Sequence, residues 1–304
     1  MPVSNTTKSS FIKKCLTGLL VFTIVNILCL KLFNHGLKQY YCLWPADILV
    51  IGHSMSEMAV DRDLMEELSG RSIAKYCMNG ITIPDRLIMI RHYIESTGHK
   101  PKAIIYDIGP RVFYGGFSVN SHALFYPFIN ESPAVAAYIR SSASAKEYLL
   151  KYLVPLSRYD DSRIGAVIRG YRHDWKNRSV KQLNLEQLKR QLAKGSFPKI
   201  RFNQNAQAVF EETLDFLEAQ EIHLFLVNLP NVDILNNAEP EKSAAVMDYI
   251  KETISHHSNI TIIDANSPFE SRHELFIDPL HLNPQGQQEV TKYLAQKITL
   301  PPQP

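Results

Sequence analysis

A serine near the start of the chain and an aspartate-histidine pair near its end are the residues whose types could perform covalent chemistry. Ser54 follows an apolar run, residues 47–52 (DILVIG), and Asp278 precedes His281 by three positions. A serine hydroxyl is a weak nucleophile that needs a positioned base, and a histidine base is itself oriented by a carboxylate. We therefore predict a triad of Ser54, His281 and Asp278. The alternatives are that Ser54 only caps a helix and that the pair only stabilises its own loop.

The elements that must position these residues are predicted from apolar patterns. Composition is that of a globular protein, with 45% hydrophobic and 21% charged residues, and this excludes a disordered chain. Helical patterns alternate with short apolar runs, which predicts a central parallel sheet between two layers of helices, an α/β fold. The runs read as strands are residues 47–52, 72–77, 103–108, 222–227 and 260–264. Ser54 then lies just beyond the carboxyl end of the first strand, where ligands bind in such sheets.

A long connection separates the third and fourth predicted strands. Residues 133–153 and 183–192 have helical apolar spacing, so residues 111–201 are predicted to form a mostly helical insertion. Between Arg140 and Arg201 there are fifteen basic and five acidic residues, a net charge of +10 in a chain whose net charge is +3. One interpretation is a solvated helix surface; the favoured one is contact with anionic glycans or lipid headgroups.

The positions of these motifs resemble the SGNH/GDSL hydrolase superfamily. Gly52-His53-Ser54 stands where that family has Gly-Asp-Ser, Asn79-Gly80 stands where it has its second-block glycine, and Asp278-Pro279-Leu280-His281 matches its last block. The third block departs from the family pattern, because Asp107-Ile108-Gly109-Pro110 stands where the family has Gly-x-Asn-Asp. The resemblance implies a three-layer, flavodoxin-like α/β/α fold. It covers about residues 47–110 and 205–298 and not the insertion.

The same resemblance indicates where an oxyanion would be held. Gly80 is a candidate because its backbone N–H, together with that of Ser54, could stabilise the charge, and the alternative is an ordinary turn glycine. Asn79 is a weaker candidate that could replace the missing third-block amide. His53 occupies the position of the family aspartate, and we expect it to be structural.

The resemblance extends to a membrane-anchored branch of the superfamily. That branch includes the D-alanine transfer protein of teichoic acid synthesis and polysaccharide O-acetylation proteins. It implies a serine acyltransferase that takes an acyl group from a donor, in cooperation with a multi-span membrane acyltransferase, and passes it to a cell-envelope glycan or polymer. Two alternatives stay open: an esterase with the same residues, and a non-catalytic assembly subunit on a degenerate fold.

Other classes of protein fit less well. An α/β-hydrolase has Gly-x-Ser-x-Gly, whereas position 56 is serine. His256 and His257 lack a spaced third ligand, and no dinucleotide or phosphate-binding glycine loop occurs, so neither a metal nor a cofactor is expected. Nucleic acid is not an expected partner, because the domain is predicted to lie outside the cell.

An apolar segment near the amino terminus predicts a membrane anchor. Residues 15–33 would form a helix about 28 Å long, close to the roughly 30 Å of a bilayer core. A cleavable signal peptide is the alternative, but no small-x-small cleavage site follows. We expect a tail at residues 1–14, a linker at 34–46 and the catalytic domain at 47–304. Lysines before the segment place the amino terminus in the cytoplasm and the domain outside.

Outside the predicted anchor the chain has two cysteines, Cys42 and Cys77. In an oxidising compartment they could pair, and the alternative is two unpaired buried thiols.

Overall fold

A parallel sheet of five strands, in the order β2-β1-β3-β4-β5, forms the centre of the domain. The structure is a computed structural model that describes residues 5–113, 121–197 and 199–300. Each predicted strand is found within one residue of its expected ends, which confirms the α/β fold class. The strands are β1 (Ile48–Gly52), β2 (Ile73–Cys77), β3 (Ala103–Ile108), β4 (His223–Asn228) and β5 (Ile260–Asp264).

Helices surround the sheet and form the insertion. Within the described residues, the α-helices are α1 (Asn5–Tyr40), α2 (Ser54–Ala59), α3 (Arg62–Ser69), α4 (Ile83–Thr97), α5 (Pro133–Ser142), α6 (Ala145–Leu153), α7 (Asp161–Tyr171), α8 (Leu185–Ala193), α9 (Gln204–Ala219), α10 (Asp233–Asn236), α11 (Pro240–Ile254) and α12 (Pro284–Lys297). Short 3₁₀ segments are found at Ser121–Phe128, Pro155–Arg158 and His273–Leu275.

Both faces of the sheet are covered at β1, β2 and β3, which are mostly apolar. Every residue of β1, β2 and β3 is buried. Leu49 and Ile51 point to a core shared with α4, α9 and α11. Ile48 and Val50 point to a second core shared with α3, α8 and α12. Burial on both faces explains why these strands read as continuous apolar runs in the sequence.

The insertion is mostly helical in its described part, as predicted. Residues 133–153, expected as one helical stretch, form α5 and α6 instead, because Ser144 begins a new helix by accepting a hydrogen bond from the N–H of Glu147. Residues 114–120 and 198, which belong to the predicted insertion, lie outside the described residues.

Helix α1 joins the amino-terminal segment to the domain without a break. It is helical through Tyr40, so the first part of the expected linker, residues 34–46, is helical. A Cβ on Gly170 of α7 would lie 1.9 Å from the carbonyl oxygen of Gly36, so the two backbones are in close contact. The segment Ser9–Tyr40 is long and apolar enough to cross a membrane. Its carboxyl-terminal end is fixed to the insertion.

The two cysteines that follow the apolar segment, Cys42 and Cys77, are buried and are not bonded to each other. This matches the second of the two predicted alternatives, unpaired buried thiols.

Candidate active site

Ser54 is the first residue of α2, just beyond the carboxyl end of β1. The turn between the two elements requires Gly52. A Cβ at that position would lie 2.0 Å from Oγ of Ser56 and 2.2 Å from Oδ1 of Asp107. The absence of a side chain at Gly52 therefore lets the chain turn sharply and present Ser54 at the edge of the sheet.

His281 and Asp278 lie on a loop that is held at both ends. Phe276 pairs with Leu282 in an antiparallel bridge, and the N–H of Ile277 donates to the carbonyl of His281 at 2.9 Å. Asn283 then caps α12 by accepting a hydrogen bond from the N–H of Gly286 at 2.9 Å. These contacts give His281 a defined position.

The structure brings the three predicted triad residues into one hydrogen-bonded line. Nε2 of His281 is 2.7 Å from Oγ of Ser54, and its Nδ1 is 2.8 Å from Oδ2 of Asp278. Partial burial alone would raise the pKa of Asp278, but hydrogen bonds from His281 and from two backbone N–H groups hold it below its usual value. An ionised Asp278 keeps the proton on Nδ1, so Nε2 is free to accept the Ser54 proton.

A buried charged network that the sequence reasoning missed lies beneath Ser54. Oδ2 of Asp107 is 3.1 Å from a guanidinium nitrogen of Arg86, and Oδ1 accepts from the hydroxyl of Ser56 at 2.6 Å. Burial alone would raise the pKa of Asp107; Arg86, His53 and Ser56 together hold it below its usual value. The available signal was an arginine within the apolar sequence of α4 (IPDRLIMIRHYI).

His53 connects this network to the turn that carries Ser54. Its Nδ1 accepts the N–H of Met55 at 3.1 Å, and its Nε2 is 3.4 Å from Oδ2 of Asp107. Burial lowers the pKa of His53 to about 4, against the opposing effect of Asp107. A neutral ring with its proton on Nε2 satisfies both contacts. The geometry is that of a residue that holds the turn, as expected from the sequence.

The two oxyanion candidates lie on different sides of Ser54. Gly80 has a left-handed backbone, with φ of 77°, and lines an apolar cavity together with Ser54. Asn79 is exposed and lines a polar cleft instead. The backbone N–H of Gly80 is therefore the candidate that shares a cavity with Ser54. Asn231, a buried amide not singled out from the sequence, lines the same cavity.

Ser54 and His281 line two cavities at once. The apolar cavity has a volume of about 280 Å³, and its walls include Ile81, Ile108, Val112 and Phe197. The polar cleft has a volume of about 600 Å³, and its charged walls include Arg169, Asp174, Lys176 and Arg178 of the insertion. The reacting atoms thus lie between a site suited to an apolar group and one suited to a polar, charged molecule.

The insertion is attached directly to the loop that bears His281. The side-chain amide of Asn177 donates to the carbonyl of Leu282 at 2.7 Å, and its backbone N–H donates to Gln287 at 3.0 Å. On the other side, the indole N–H of Trp175 donates to the carbonyl of Tyr40 at 2.8 Å. The wall of the polar cleft is therefore held between α1 and the candidate catalytic loop.

The parallel sheet, with Ser54 after its first strand and Asp278-x-x-His281 before its last helix, has the spacings on which the resemblance to the SGNH/GDSL hydrolases rests. No family model and no curated protein matches this sequence. Among solved structures, the chain is similar to a lipase/acylhydrolase from Enterococcus faecalis, with 12% identity, a TM-score of 0.43, and coverage of 83% of this chain and 94% of that one.

Two further solved structures have similar values. A lipase from a goat rumen metagenome is 11% identical, with a TM-score of 0.41, and the match covers 82% of this chain and 95% of that one. The catalytic domain of peptidoglycan O-acetyltransferase A from Streptococcus pneumoniae is 10% identical, with a TM-score of 0.38 and coverage of 83% and 92%. Similarities this low carry no argument about the function of this chain.

Within the described residues, no group of three or more His, Cys, Asp or Glu side chains could hold a metal ion.

Proposed function

We propose that this protein is a membrane-anchored serine acyltransferase that acts on a cell-envelope glycan or related polymer. The observation that carries the proposal is the hydrogen-bonded line of Ser54, His281 and Asp278 at the junction of the apolar cavity and the polar cleft. The apolar cavity would take the acyl group, and the polar cleft would take the acceptor. Helix α1 would anchor the chain with its amino terminus in the cytoplasm and the domain outside.

The first half of the reaction forms an acyl-enzyme. Oγ of Ser54 attacks the carbonyl carbon of the acyl donor while Nε2 of His281 takes the hydroxyl proton. The N–H groups of Ser54 and Gly80 stabilise the oxyanion, a contact that can contribute about 3 kcal/mol per donor. When the tetrahedral intermediate collapses, the bond to the leaving group breaks and the leaving group receives the proton from His281. Asp278 stays ionised and orients the ring throughout.

The second half transfers the acyl group to an acceptor hydroxyl. The hydroxyl enters from the polar cleft, loses its proton to His281 and attacks the acyl carbon. Collapse of this intermediate breaks the ester bond to Ser54, whose oxygen takes the proton back. If water entered instead, the same steps would make the protein an esterase.

The proposed partners come from the resemblance to the membrane-anchored branch. If the acyl group is delivered to Ser54 from across the membrane, a multi-span membrane acyltransferase would be the partner that delivers it. The polar cleft carries both basic residues (Arg169, Lys176, Arg178) and acidic ones (Glu57, Asp174), and this lining suits a polar acceptor such as a glycan hydroxyl.

The nucleophile is tested with a serine-reactive phosphonate on the purified full chain. We expect covalent labelling that is lost in Ser54→Ala and kept in Ser255→Ala, a matched control on an exposed serine at the end of α11. Equal labelling of Ser54→Ala, or no labelling of the unmodified chain, would refute the triad and support the assembly subunit.

Transfer and hydrolysis are separated by following a labelled acyl group. We expect the label to reach an envelope polymer faster than it reaches water. Lys176→Glu and Arg178→Glu should reduce transfer to the polymer more than hydrolysis of a small ester. Release to water alone, whether or not polymer is present, would favour the esterase.

A further inference from the structure

Helix α6 turns its apolar side chains toward solvent. No residue of this helix is buried. Four of its side chains are between 52% and 64% exposed: Leu149, Leu150, Tyr152 and Leu153. Two of its three charged side chains contact the protein instead: Glu147 is 3.2 Å from Nε2 of His122, and Lys151 donates to the carbonyl of Ser157. This arrangement is the opposite of that in an ordinary surface helix, whose apolar face is buried against the protein and whose polar face is in water.

Helix α6 is linked, through the 3₁₀ segment Pro155–Arg158, to the point where α1 leaves the domain. Nε of Arg158 donates to the carbonyl of Lys151 in α6 at 2.8 Å. Arg158 also lines a surface groove together with Leu30 and Asn34 of α1, and the hydroxyl of Tyr159 bonds to Asn34. Toward the amino terminus from this point, the apolar side chains of α1 are mostly exposed. A bilayer crossed by α1 would therefore have its surface close to α6.

We propose that α6 lies in the membrane interface, with its apolar face inserted into the leaflet from which α1 emerges. The proposal rests on α1 crossing the membrane. An amphipathic helix of this kind lies parallel to the bilayer and buries its apolar face roughly 5–10 Å deep, at the boundary of headgroups and acyl chains. Two attachments, α1 and α6, would then fix the orientation of the domain on the membrane.

Charge around α6 favours a lipid surface over a protein partner. Lys146 lies on the exposed side of the helix, near its first turn. Lys31 is exposed on α1 just before the groove, and Arg140 is exposed at the end of α5. Basic side chains that flank an apolar face can extend to anionic headgroups while their aliphatic parts stay among apolar groups. Arg169 of α7 belongs to the wall of the polar cleft. That wall would then face the part of the envelope nearest the membrane.

The test measures how deeply α6 enters lipid. The purified full chain is reconstituted in vesicles of phosphatidylethanolamine and phosphatidylglycerol, part of which carries bromine on its acyl chains. Tyr152→Trp introduces a fluorophore on the exposed face of α6, and the unmodified chain supplies the background of Trp44 and Trp175. Bromine should quench the added emission, more strongly when it is near the headgroup than when it is near the chain end.

The matched control is Ile262→Trp, on β5 at the edge of the sheet opposite β2. Ile262 is also an exposed apolar side chain, and we expect no quenching there beyond background.

Adding Leu149→Glu and Leu153→Glu to the Tyr152→Trp chain should reduce quenching without changing the thermal midpoint, because both leucines are exposed. Absence of quenching in Tyr152→Trp, the result expected if α6 bound a membrane protein instead, would overturn the proposal. Equal quenching at both positions, or failure of the chain to float with the vesicles, would do the same.

Arg111 carries a second, independent inference. It is the one Lys or Arg among the described residues that line the apolar cavity beside Ser54. Its Nε is buried and has no hydrogen-bond partner there, and the carboxylate of Glu239 is 3.7 Å from the guanidinium. Glu239 is itself bound by Lys242 at 2.6 Å and by the N–H of Ile200 at 2.8 Å. Nε of Arg111 is therefore a donor that the described part of the protein does not satisfy. Arg111 also lines a second cavity of about 450 Å³ together with Glu239, so it lies between that cavity and the one beside Ser54.

We infer that Arg111 binds an anionic group of the acyl donor, a carboxylate on the acyl group or a phosphate on its carrier. The inference rests on the proposed acyl transfer at Ser54. A buried N–H without a partner is costly, and an anion bound at the partly exposed guanidinium makes charge-assisted hydrogen bonds with it. The apolar walls would hold the rest of the acyl group, and Arg111 would favour donors that carry a negative charge.

The experiment compares p-nitrophenyl acetate with the p-nitrophenyl ester of hemisuccinate on the full chain. We expect a higher kcat/KM for the hemisuccinyl ester, and Arg111→Met should lower that preference about tenfold to hundredfold. Arg111→Lys should retain part of the preference. Inhibition by inorganic phosphate without hemisuccinyl preference would assign the anion to the carrier. The same preference and the same phosphate inhibition in Arg111→Met would overturn the inference, whereas absence of all ester turnover and of Ser54 labelling would reject the proposed function itself.

Discussion

Replacing Asp278 by asparagine should move the proton of the His281 ring from Nδ1 to Nε2 while the loop keeps its shape. Oδ1 of Asp278 accepts the N–H groups of Leu280 at 2.9 Å and of His281 at 3.1 Å, and Oδ2 faces Nδ1 at 2.8 Å. An amide has one accepting oxygen and one donating NH₂ group. The two backbone donors will hold the amide oxygen in the place of Oδ1, which is 3.0 Å from Nδ1. The NH₂ group then takes the place of Oδ2, the nearer of the two atoms, and points at Nδ1.

The ring must then accept a hydrogen bond at Nδ1 and carry its proton on Nε2. Nε2 would donate toward Ser54 instead of taking the hydroxyl proton, so general-base catalysis fails. The same substitution in a serine protease triad lowers kcat about 10⁴-fold, which corresponds to about 5 kcal/mol of lost transition-state stabilisation. We expect a loss of this size in phosphonate labelling rate and in ester turnover.

Stability should change far less, because the loop hydrogen bonds are kept. Asp278→Ala is the matched control, since it removes those bonds together with the carboxylate and should also lower the thermal midpoint. The measurements are kcat for a p-nitrophenyl ester and the midpoint of thermal unfolding for both variants. A folded Asp278→Asn protein with less than about a tenfold loss would refute the assignment of Asp278 and the tautomer argument.

Three further predictions concern the residues beneath the serine. Because of His53, the free energy of unfolding should fall by up to about 1.4 kcal/mol per pH unit between pH 6.5 and about 4, since the unfolded chain binds the proton that the buried ring excludes. In urea unfolding, His53→Asn should lack this pH dependence. An identical pH slope in the variant would contradict the prediction. Gly52→Ala should destabilise the fold by about 1–3 kcal/mol and abolish phosphonate labelling, because its Cβ would overlap Ser56 and Asp107; normal labelling would contradict the turn geometry. Arg86→Met should cost about 3–5 kcal/mol in urea unfolding, because it leaves the buried carboxylate of Asp107 without its cationic partner. A change below about 1 kcal/mol would show that the pair is not needed.

The strands were predictable because of how parallel sheets are buried. Residues 103–108 and 260–264 have the predicted ends, and the other strands differ by one residue. Strands β1 to β3, covered on both faces, are short apolar runs bounded by turn residues, and that pattern is local. Strand β5 is also an apolar run, although three of its five residues are exposed. The boundary between α5 and α6 was missed because Ser144 interrupts a continuous helical spacing only through its cap.

The candidate triad was predictable for a different reason. A serine after the first strand and Asp-x-x-His before a helix start are recognisable as spacings, whatever the fold does between them. The network of Arg86, Asp107 and Ser56 was not predictable. Its members lie on three elements, and their burial depends on how α4 packs against the sheet.

The sequence by itself determined the strands, the apolar amino-terminal segment, the basic insertion and the residue types of the candidate triad, because each is expressed in neighbouring positions. Only the tertiary structure decided that Nε2 of His281 meets Oγ of Ser54 across 227 positions of the chain. It also decided that the insertion walls a cleft beside that contact, and that α6 faces outward next to α1. Contacts between distant segments depend on packing, and packing follows from the whole set of apolar faces acting together.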